Sequence, residues 1–202
     1  MAFGDSVTVG VVATFKSDGS PGYDLRDVPN EAYPNVLRQL LAARYTTQAI
    51  TVVNGGKGGE KAVDGVARFS SALSGNRPEA VLILDGYNDL GLGEAGIAPA
   101  IAAITNMAKD ARLRGARVFL ATLTPPPVNV NRGISNLTIV RFNQELRVVA
   151  RGEGAVLVDA YEAFASDPNR YNSDDGRHPN EAGYRKIAEA FFAAIQAEFE
   201  VR

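Results

Sequence analysis

Ala80-Val81-Leu82-Ile83-Leu84 is the run that decides the fold, and Asp85-Gly86-Tyr87-Asn88-Asp89 follows it directly. An uninterrupted apolar run of this length is typical of a strand that is covered on both faces, as in a parallel sheet. In open parallel sheets, ligands bind beyond the carboxyl ends of the strands. We therefore expect a buried parallel strand with Asn88 in the ligand-binding region at its end.

Outward from this strand, short β-branched runs alternate with longer helical patterns. Further strands are expected before Gly4-Asp5-Ser6 and at residues 50–53, 116–122 and 155–158, and a loop is expected at residues 17–30. Helices are expected at residues 32–45, 60–73, 97–115 and 135–150, with Gly115 closing the third and Asn180 capping a last one. This order predicts an α/β fold with a doubly wound sheet of about five parallel strands.

Composition narrows the classes of partner. The chain has 202 residues, a net charge of −2 and no cysteine, so disulfides, thiolate metal sites and cysteine nucleophiles are absent. The sequence contains no basic tract, which argues against a nucleic-acid partner. It shows no signal peptide and no apolar run approaching the roughly 18–20 residues of a membrane span. Without repeats or linkers, residues 1–202 are expected to form one domain, whose oligomeric state the sequence leaves open.

The chain contains a single histidine, His178, three residues after Asp175. An imidazole is the side chain best suited to act as a base near neutral pH, and a carboxylate beside it can hold its tautomer. Ser6 follows the first strand and is a candidate nucleophile, because a base within hydrogen-bond reach activates a serine hydroxyl. Asp174 is the rival to Asp175, but its spacing from the histidine is less favourable for contact.

Acyl transfer also requires donors that face the developing oxyanion. The backbone N–H of Ser6, an N–H from the glycine cluster at residues 55–59 and the side-chain amide of Asn88 would supply three. A glycine suits the second position because the backbone there must approach the substrate closely. These groups lie at the predicted carboxyl ends of the first three strands, which is the main argument from the residues for an active site.

Four spaced motifs resemble the blocks of the SGNH, or GDSL, hydrolase family. They are Phe3-Gly4-Asp5-Ser6-Val7-Thr8, the loop from Asn54 to Gly59, Gly86-Tyr87-Asn88-Asp89, and Asp175-Gly176-Arg177-His178-Pro179. The resemblance implies a flavodoxin-like three-layer α/β/α sandwich with strand order 2-1-3-4-5. It implies ester hydrolysis with Ser6 as nucleophile, His178 as base and Asp175 as its partner. It also places Gly59, five residues after Asn54, in the oxyanion hole with Ser6 and Asn88.

We therefore expect a serine esterase that works through an acyl-enzyme with no cofactor and no metal. The polar residues of the 17–30 loop favour a small-molecule substrate with a short acyl chain, or a carbohydrate O-acetyl ester. An O-acyltransferase on the same fold and a non-catalytic binding module are the alternatives. The G-x-G-x-x-G run from Gly91 to Gly96 lacks an acid-ended strand behind it, so we do not expect a dinucleotide site.

The first strand has three residues before Gly-Asp-Ser, whereas the family usually has four or five. We expect that Met1 marks a truncated first strand and that the natural protein continues upstream. A secreted or periplasmic origin would then be compatible with the sequence, which does not itself identify a compartment.

Overall fold

A computed structural model of the chain describes residues 1–128 and 133–200. The elements in chain order are β1 (Ala2–Gly4), α1 (Ser6–Val9), β2 (Val11–Phe15), β3 (Tyr23–Asp27), α2 (Tyr33–Arg44), β4 (Asn54–Gly56), α3 (Ala62–Asn76), β5 (Ala80–Leu84), a 3₁₀ segment (Asp89–Gly96), α4 (Ile97–Leu113), β6 (Arg117–Ala121), α5 (Asn136–Gly152), β7 (Val156–Val158), α6 (Ala160–Ala165), α7 (Pro168–Tyr171) and α8 (Glu181–Phe199).

Five parallel strands form the central sheet in the order β4-β1-β5-β6-β7. Counted along the chain within this sheet, the order is 2-1-3-4-5, so the predicted topology is confirmed. The order reverses beside β1, and ligands of doubly wound sheets bind at such a switch point. Ser6 begins α1 immediately beyond β1 and therefore lies at this point.

Helices cover both faces of the sheet. Helices α2 and α8 pack against each other, and Tyr33 stacks on Phe191 with ring centroids 5.3 Å apart. Helix α3 packs against α4, and Phe69 of α3 meets Phe3 of β1 edge to face at 4.9 Å. Strand β5, at Ala80–Leu84 as predicted, is almost entirely buried between the two layers. The alternation of strands and helices in the sequence is thus the source of the three layers.

Two helix-end predictions are confirmed. The side chain of Asn180 accepts a hydrogen bond from the Gly183 N–H and so caps α8. Gly115 follows α4 with a φ of 83°, the left-handed conformation that glycine adopts without a Cβ penalty.

The predicted second strand at residues 50–53 is wrong. The strand lies at Asn54–Gly56, within the glycine cluster that was expected to be a loop. The register pairs Ala2 with Asn54 and Gly4 with Gly56, so residues 50–53 precede the ladder. The apolar pattern marked residues that pack on the core. Of residues 50–53, Val53 bonds β1 through its carbonyl, which accepts the Ala2 N–H at 2.8 Å, and the paired strand itself comes after it.

The predicted loop at residues 17–30 is also wrong in part. Strands β2 and β3 form an antiparallel hairpin, with Val11 paired to Asp27 and Phe15 to Tyr23. Strand β3 is largely exposed, and three of its five residues, Asp24, Arg26 and Asp27, are charged. Only Tyr23 and Leu25 alternate with them, which is too short a pattern to mark a half-buried strand. Across residues 1–128 and 133–200, no helix has the length and apolarity needed to span a membrane.

Candidate active site

Ser6, His178 and Asp175 form a continuous hydrogen-bonded chain. The Ser6 Oγ lies 2.9 Å from His178 Nε2, and His178 Nδ1 lies 2.6 Å from Asp175 Oδ2. His178 is 6% exposed, whereas Ser6 is partly accessible to solvent. The structure thus brings together three predicted site residues from opposite ends of the chain, with the imidazole held between a hydroxyl and a carboxylate.

The carboxylate of Asp175 is held by more than the imidazole. Its Oδ1 accepts hydrogen bonds from the backbone N–H groups of Arg177 and His178, each at 3.0 Å. Burial acts to raise the pKa of Asp175, but the hydrogen bond and charge of His178, together with these N–H groups, lower it below its usual value. The carboxylate is therefore ionised at neutral pH and favours the His178 tautomer that carries its proton on Nδ1.

Asp174 does not contact the imidazole. It is exposed, and its Oδ2 accepts a hydrogen bond from the Phe15 N–H of the β2–β3 hairpin at 2.9 Å. Its own N–H donates to the carbonyl of Ala13, also in β2. Asp174 thus connects the hairpin to the loop that carries the histidine.

The carboxyl ends of β1 and β4 lie against each other. Lys57 N–H donates to the carbonyl of Gly4 at 3.0 Å, and the Asn54 side chain donates to the carbonyl of Thr8 at 2.9 Å. A Cβ on Gly56 would lie 2.4 Å from Val9 N, so only glycine allows β4 to pass this close to α1. Sequence reasoning used this glycine cluster only as a source of oxyanion donors, yet Gly56 is a packing requirement.

Gly59 and Asn88 lie on neighbouring loops that are joined through Glu60. Gly59 is exposed with a φ of 75°, in a turn closed by a hydrogen bond from Glu60 N–H to the carbonyl of Lys57. The Asn88 side-chain amide donates to the Glu60 carbonyl at 2.9 Å. One of the two amide N–H bonds of Asn88 is therefore engaged, and this bond orients the other.

A buried ion pair supports this turn. Glu60, with a side chain only 4% exposed, accepts hydrogen bonds from Arg68 and from Lys57. Arg68 also donates to the carbonyls of Gly55 and Gly4, and its guanidinium lies 4.0 Å from the centroid of the Phe3 ring. Sequence reasoning did not identify this Glu60–Arg68 pair, since nothing in the pattern shows that the two charges meet in the interior.

Asp89 has a structural role in the same region. Its Oδ2 accepts a hydrogen bond from Ala62 N–H at 2.8 Å, so Asp89 caps helix α3 from across the site. Burial raises its pKa, although the backbone N–H groups of Ala62 and Val63 act in the opposite direction. After β5, Asn88 thus bonds Glu60 and Asp89 bonds Ala62, so the two residues hold both ends of the segment 60–62.

The described residues give no metal-binding cluster: no group of three or more His, Asp or Glu within 1–128 and 133–200 could hold an ion. Pro125 and Pro126 line a small cavity together with Tyr87, Gly176 and Arg177, beside the histidine loop. A separate cavity of about 610 Å³ lies at the amino ends of the strands, between Met1, Val53 and Ala80. This cavity is therefore at the opposite end of the strands from Ser6, which follows the carboxyl end of β1.

The sequence is similar to known proteins over most of its length. The sequence profile of the GDSL-like lipase/acylhydrolase family matches residues 2–186. The chain is 31% identical over 147 residues to esterase TesA of Pseudomonas aeruginosa, covering 72% of this chain and 69% of that protein. It is 34% identical over 85 residues to an acetylxylan esterase of Xylanibacter ruminicola, covering 41% of this chain and only 17% of that protein.

The fold is also found among solved structures. The lipase/acylhydrolase from Enterococcus faecalis superimposes with a TM-score of 0.78 at 19% identity, over 98% of this chain and 94% of that chain. At this level of identity the match concerns the fold alone. Its near-complete coverage shows that the described architecture is shared from end to end.

Proposed function

The chain belongs to the GDSL-like lipase/acylhydrolase family of ester-hydrolysing serine hydrolases, and we propose that it cleaves carboxylic esters through an acyl-enzyme formed on Ser6. The observation that carries this proposal is the 2.9 Å contact between Ser6 Oγ and His178 Nε2. A serine hydroxyl becomes an effective nucleophile when a base at this distance accepts its proton.

The proposed reaction has two halves. In the first, His178 Nε2 accepts the Ser6 proton as Oγ attacks the ester carbonyl carbon, and the imidazolium is stabilised by Asp175. The tetrahedral intermediate collapses with cleavage of the bond to the alcohol, which leaves with the proton from His178. In the second half, His178 accepts a proton from water as the water oxygen attacks the acyl carbonyl carbon. The second tetrahedral intermediate collapses with cleavage of the bond to Oγ, His178 returns the proton to Oγ, and the acid is released.

We propose that three N–H donors stabilise the oxyanion in each half. Ser6 N–H is at the start of α1, where backbone N–H groups have no partner within the helix. Gly59 N–H is in the exposed turn at the end of β4, and Asn88 supplies a side-chain N–H at the end of β5. The close contact of β4 with α1 and the Asn88–Glu60 hydrogen bond support this assignment, because they hold the three strand ends against one another.

For the substrate, we propose a short acyl ester or an O-acetyl ester of a carbohydrate. One curated relative is an acetylxylan esterase, which favours an acetyl group on a sugar. The hairpin bonded to the histidine loop exposes Phe15, and its ring lies 5.5 Å from that of Tyr23. Flat aromatic faces flanked by polar residues suit a sugar ring better than a long acyl chain.

The first experiment measures turnover of p-nitrophenyl acetate. We expect Ser6→Ala and His178→Ala each to lower kcat by about 10⁴-fold or more, and Asn88→Ala by about 10²–10³-fold. Ser71→Ala, on the exposed side of α3, is the matched control and should leave kcat unchanged. Wild-type turnover in the Ser6 variant would refute the mechanism.

The second experiment addresses the substrate. In a series of p-nitrophenyl esters from acetate to palmitate, we expect kcat/KM to be highest for the shortest chains. A maximum at long chains would contradict the short-acyl proposal. Comparing acetate release with ester formation in the presence of sugar alcohols separates a hydrolase from an acyltransferase.

A further inference from the structure

Asp5 and Asp85 are buried aspartates that directly follow the neighbouring strands β1 and β5. The parallel register ends with the pair Gly4 and Leu84, and each aspartate is the residue that follows its strand. Because neighbouring strands of a sheet lie about 4.8 Å apart, the two residues that directly follow this last pair are close together. Asp5 is 0% exposed and Asp85 is 2% exposed, so both side chains lie in the protein interior.

Each carboxyl group has one oxygen with a donor and one without. Asp5 Oδ1 accepts from Val7 N–H at 2.9 Å, and Asp85 Oδ1 accepts from Gly86 N–H at 2.8 Å. Within the described residues, Asp5 Oδ2 and Asp85 Oδ2 have no hydrogen-bond partner. Two buried carboxylates with unsatisfied oxygens would be costly, whereas one proton placed between them would satisfy both oxygens and remove one charge.

We propose that Asp5 and Asp85 share one proton between their Oδ2 atoms, held mainly by Asp85, and that Asp85 is thereby a positioning residue for Ser6. Asp5 caps the turn in which Ser6 lies, because its carboxylate accepts the Val7 N–H and its carbonyl accepts the N–H groups of Thr8 and Val9. A protonated Asp85 would donate a hydrogen bond to Asp5 Oδ2 and so hold the capping carboxylate in place. This role for Ser6 rests on the proposed function.

The charges around the pair favour the proton on Asp85. Burial raises the pKa of Asp85 well above its usual value, and the negative charge of Asp5 raises it further. Burial also raises the pKa of Asp5, to about 6, but Val7 N–H, the His178 imidazole when it is protonated, and Arg177 act in the opposite direction. Asp5 is therefore the member that remains ionised at neutral pH.

The remaining titratable neighbours do not supply a competing partner. Glu60 is paired with Arg68 and Lys57, and Asp89 accepts the Ala62 N–H. The buried tyrosines around the pair are Tyr33, Tyr87 and Tyr184, which burial and nearby carboxylates keep protonated by raising their pKa values. Their hydroxyls bond Thr8, Thr124 and the Val11 carbonyl respectively.

The test compares Asp85→Asn with Asp85→Ala. The asparagine amide keeps a donor toward Asp5 without a titratable proton, so we expect its kcat to lie within about threefold of wild type at neutral pH. The alanine removes the donor, and we expect kcat to fall about 10- to 100-fold with little change in KM, because a small displacement of Ser6 disrupts its alignment. Equal losses in both variants would overturn the proposal.

A second readout does not depend on catalysis. Infrared difference spectroscopy at neutral pH should show the carbonyl stretch of one protonated carboxylic acid in wild type, and this band should be absent from Asp85→Asn. The exposed Asp64 provides the matched control, since Asp64→Asn should retain the band. A wild-type spectrum without the band would overturn the shared proton even if Ser6 is the nucleophile. If Ser6 proves not to be the nucleophile, the band still tests the proton itself.

Discussion

Removal of Arg68 is the perturbation that most directly tests how the site is supported. Arg68→Met leaves the buried Oε2 of Glu60 without its guanidinium donors, while exposed Lys57 still bonds Oε1. Removing one partner of a buried ion pair costs about 3–5 kcal/mol. Since Lys57 still compensates part of the charge, we expect the lower end, about 3 kcal/mol, with the lost bond to the Gly55 carbonyl included.

The assay is urea unfolding at neutral pH, and the double variant Arg68→Met with Glu60→Gln is its internal check. A neutral glutamine leaves no buried charge, so we expect the double variant to recover about 1–2 kcal/mol of the loss. Arg38→Met is the matched control, because Arg38 is exposed on α2 and, among residues 1–128 and 133–200, its hydrogen bonds go to Asn35 alone. Its change should be within about 0.5 kcal/mol.

The stability lost in Arg68→Met should also depend on pH in a defined direction. Burial acts to raise the pKa of Glu60, but the hydrogen bonds from Arg68 and Lys57 lower it below its ordinary value in the folded protein. The stabilisation is therefore present above the ordinary carboxyl pKa and disappears as the pH falls through the folded pKa. The gap between wild type and Arg68→Met should narrow in acid. A loss below about 1 kcal/mol at neutral pH, or a gap that widens in acid, would refute the reasoning.

Two further predictions concern Gly56 and Asp175. Gly56→Ala should destabilise the protein by about 3 kcal/mol in urea unfolding, because the new Cβ meets backbone atoms of Val9 and Thr8, whereas Gly58→Ala faces open space and should change stability by less than about 0.5 kcal/mol. Asp175→Asn should make the free energy of unfolding depend less on pH in the acid range. The pKa of Asp175 is lowered in the folded protein, so its ionised carboxylate stabilises the fold above the ordinary carboxyl pKa, and this stabilisation is lost as the pH falls through the folded pKa. If urea unfolding gave the same pH dependence for Asp175→Asn and wild type in the acid range, the lowered pKa of Asp175 would be contradicted.

The sequence predicts the elements whose patterns are local. Strand β5 was placed at its observed ends because five apolar residues in succession need no tertiary information, and His178 was identified because the chain has one histidine. Strand β4 was misplaced because its position depends on register with β1, which the apolar run at residues 50–53 does not encode. The β2–β3 hairpin escaped prediction because β3 is exposed and charged.

The supporting groups of the site were beyond sequence reasoning for a different reason. Glu60 and Arg68 have the spacing of ordinary surface charges, and only the packing of α3 beneath β1 brings the guanidinium over Phe3. Asp5 and Asp85 are separated by 80 residues, and their proximity depends on the pairing of β1 with β5. Chemistry that is carried by residue type was therefore predictable, and chemistry that depends on burial was not.

The 172-residue separation of Ser6 from His178 has a consequence for the way the protein becomes active. Contacts between distant segments form late, because the loop between them must close at an entropic cost before they contribute. During synthesis, β1 and its serine emerge first, whereas the imidazole arrives only when the segment before α8 has docked beside the β2–β3 hairpin. Recovery of ester hydrolysis during refolding should therefore report the completion of the whole fold, since a partly assembled chain contains the proposed nucleophile without its proposed base.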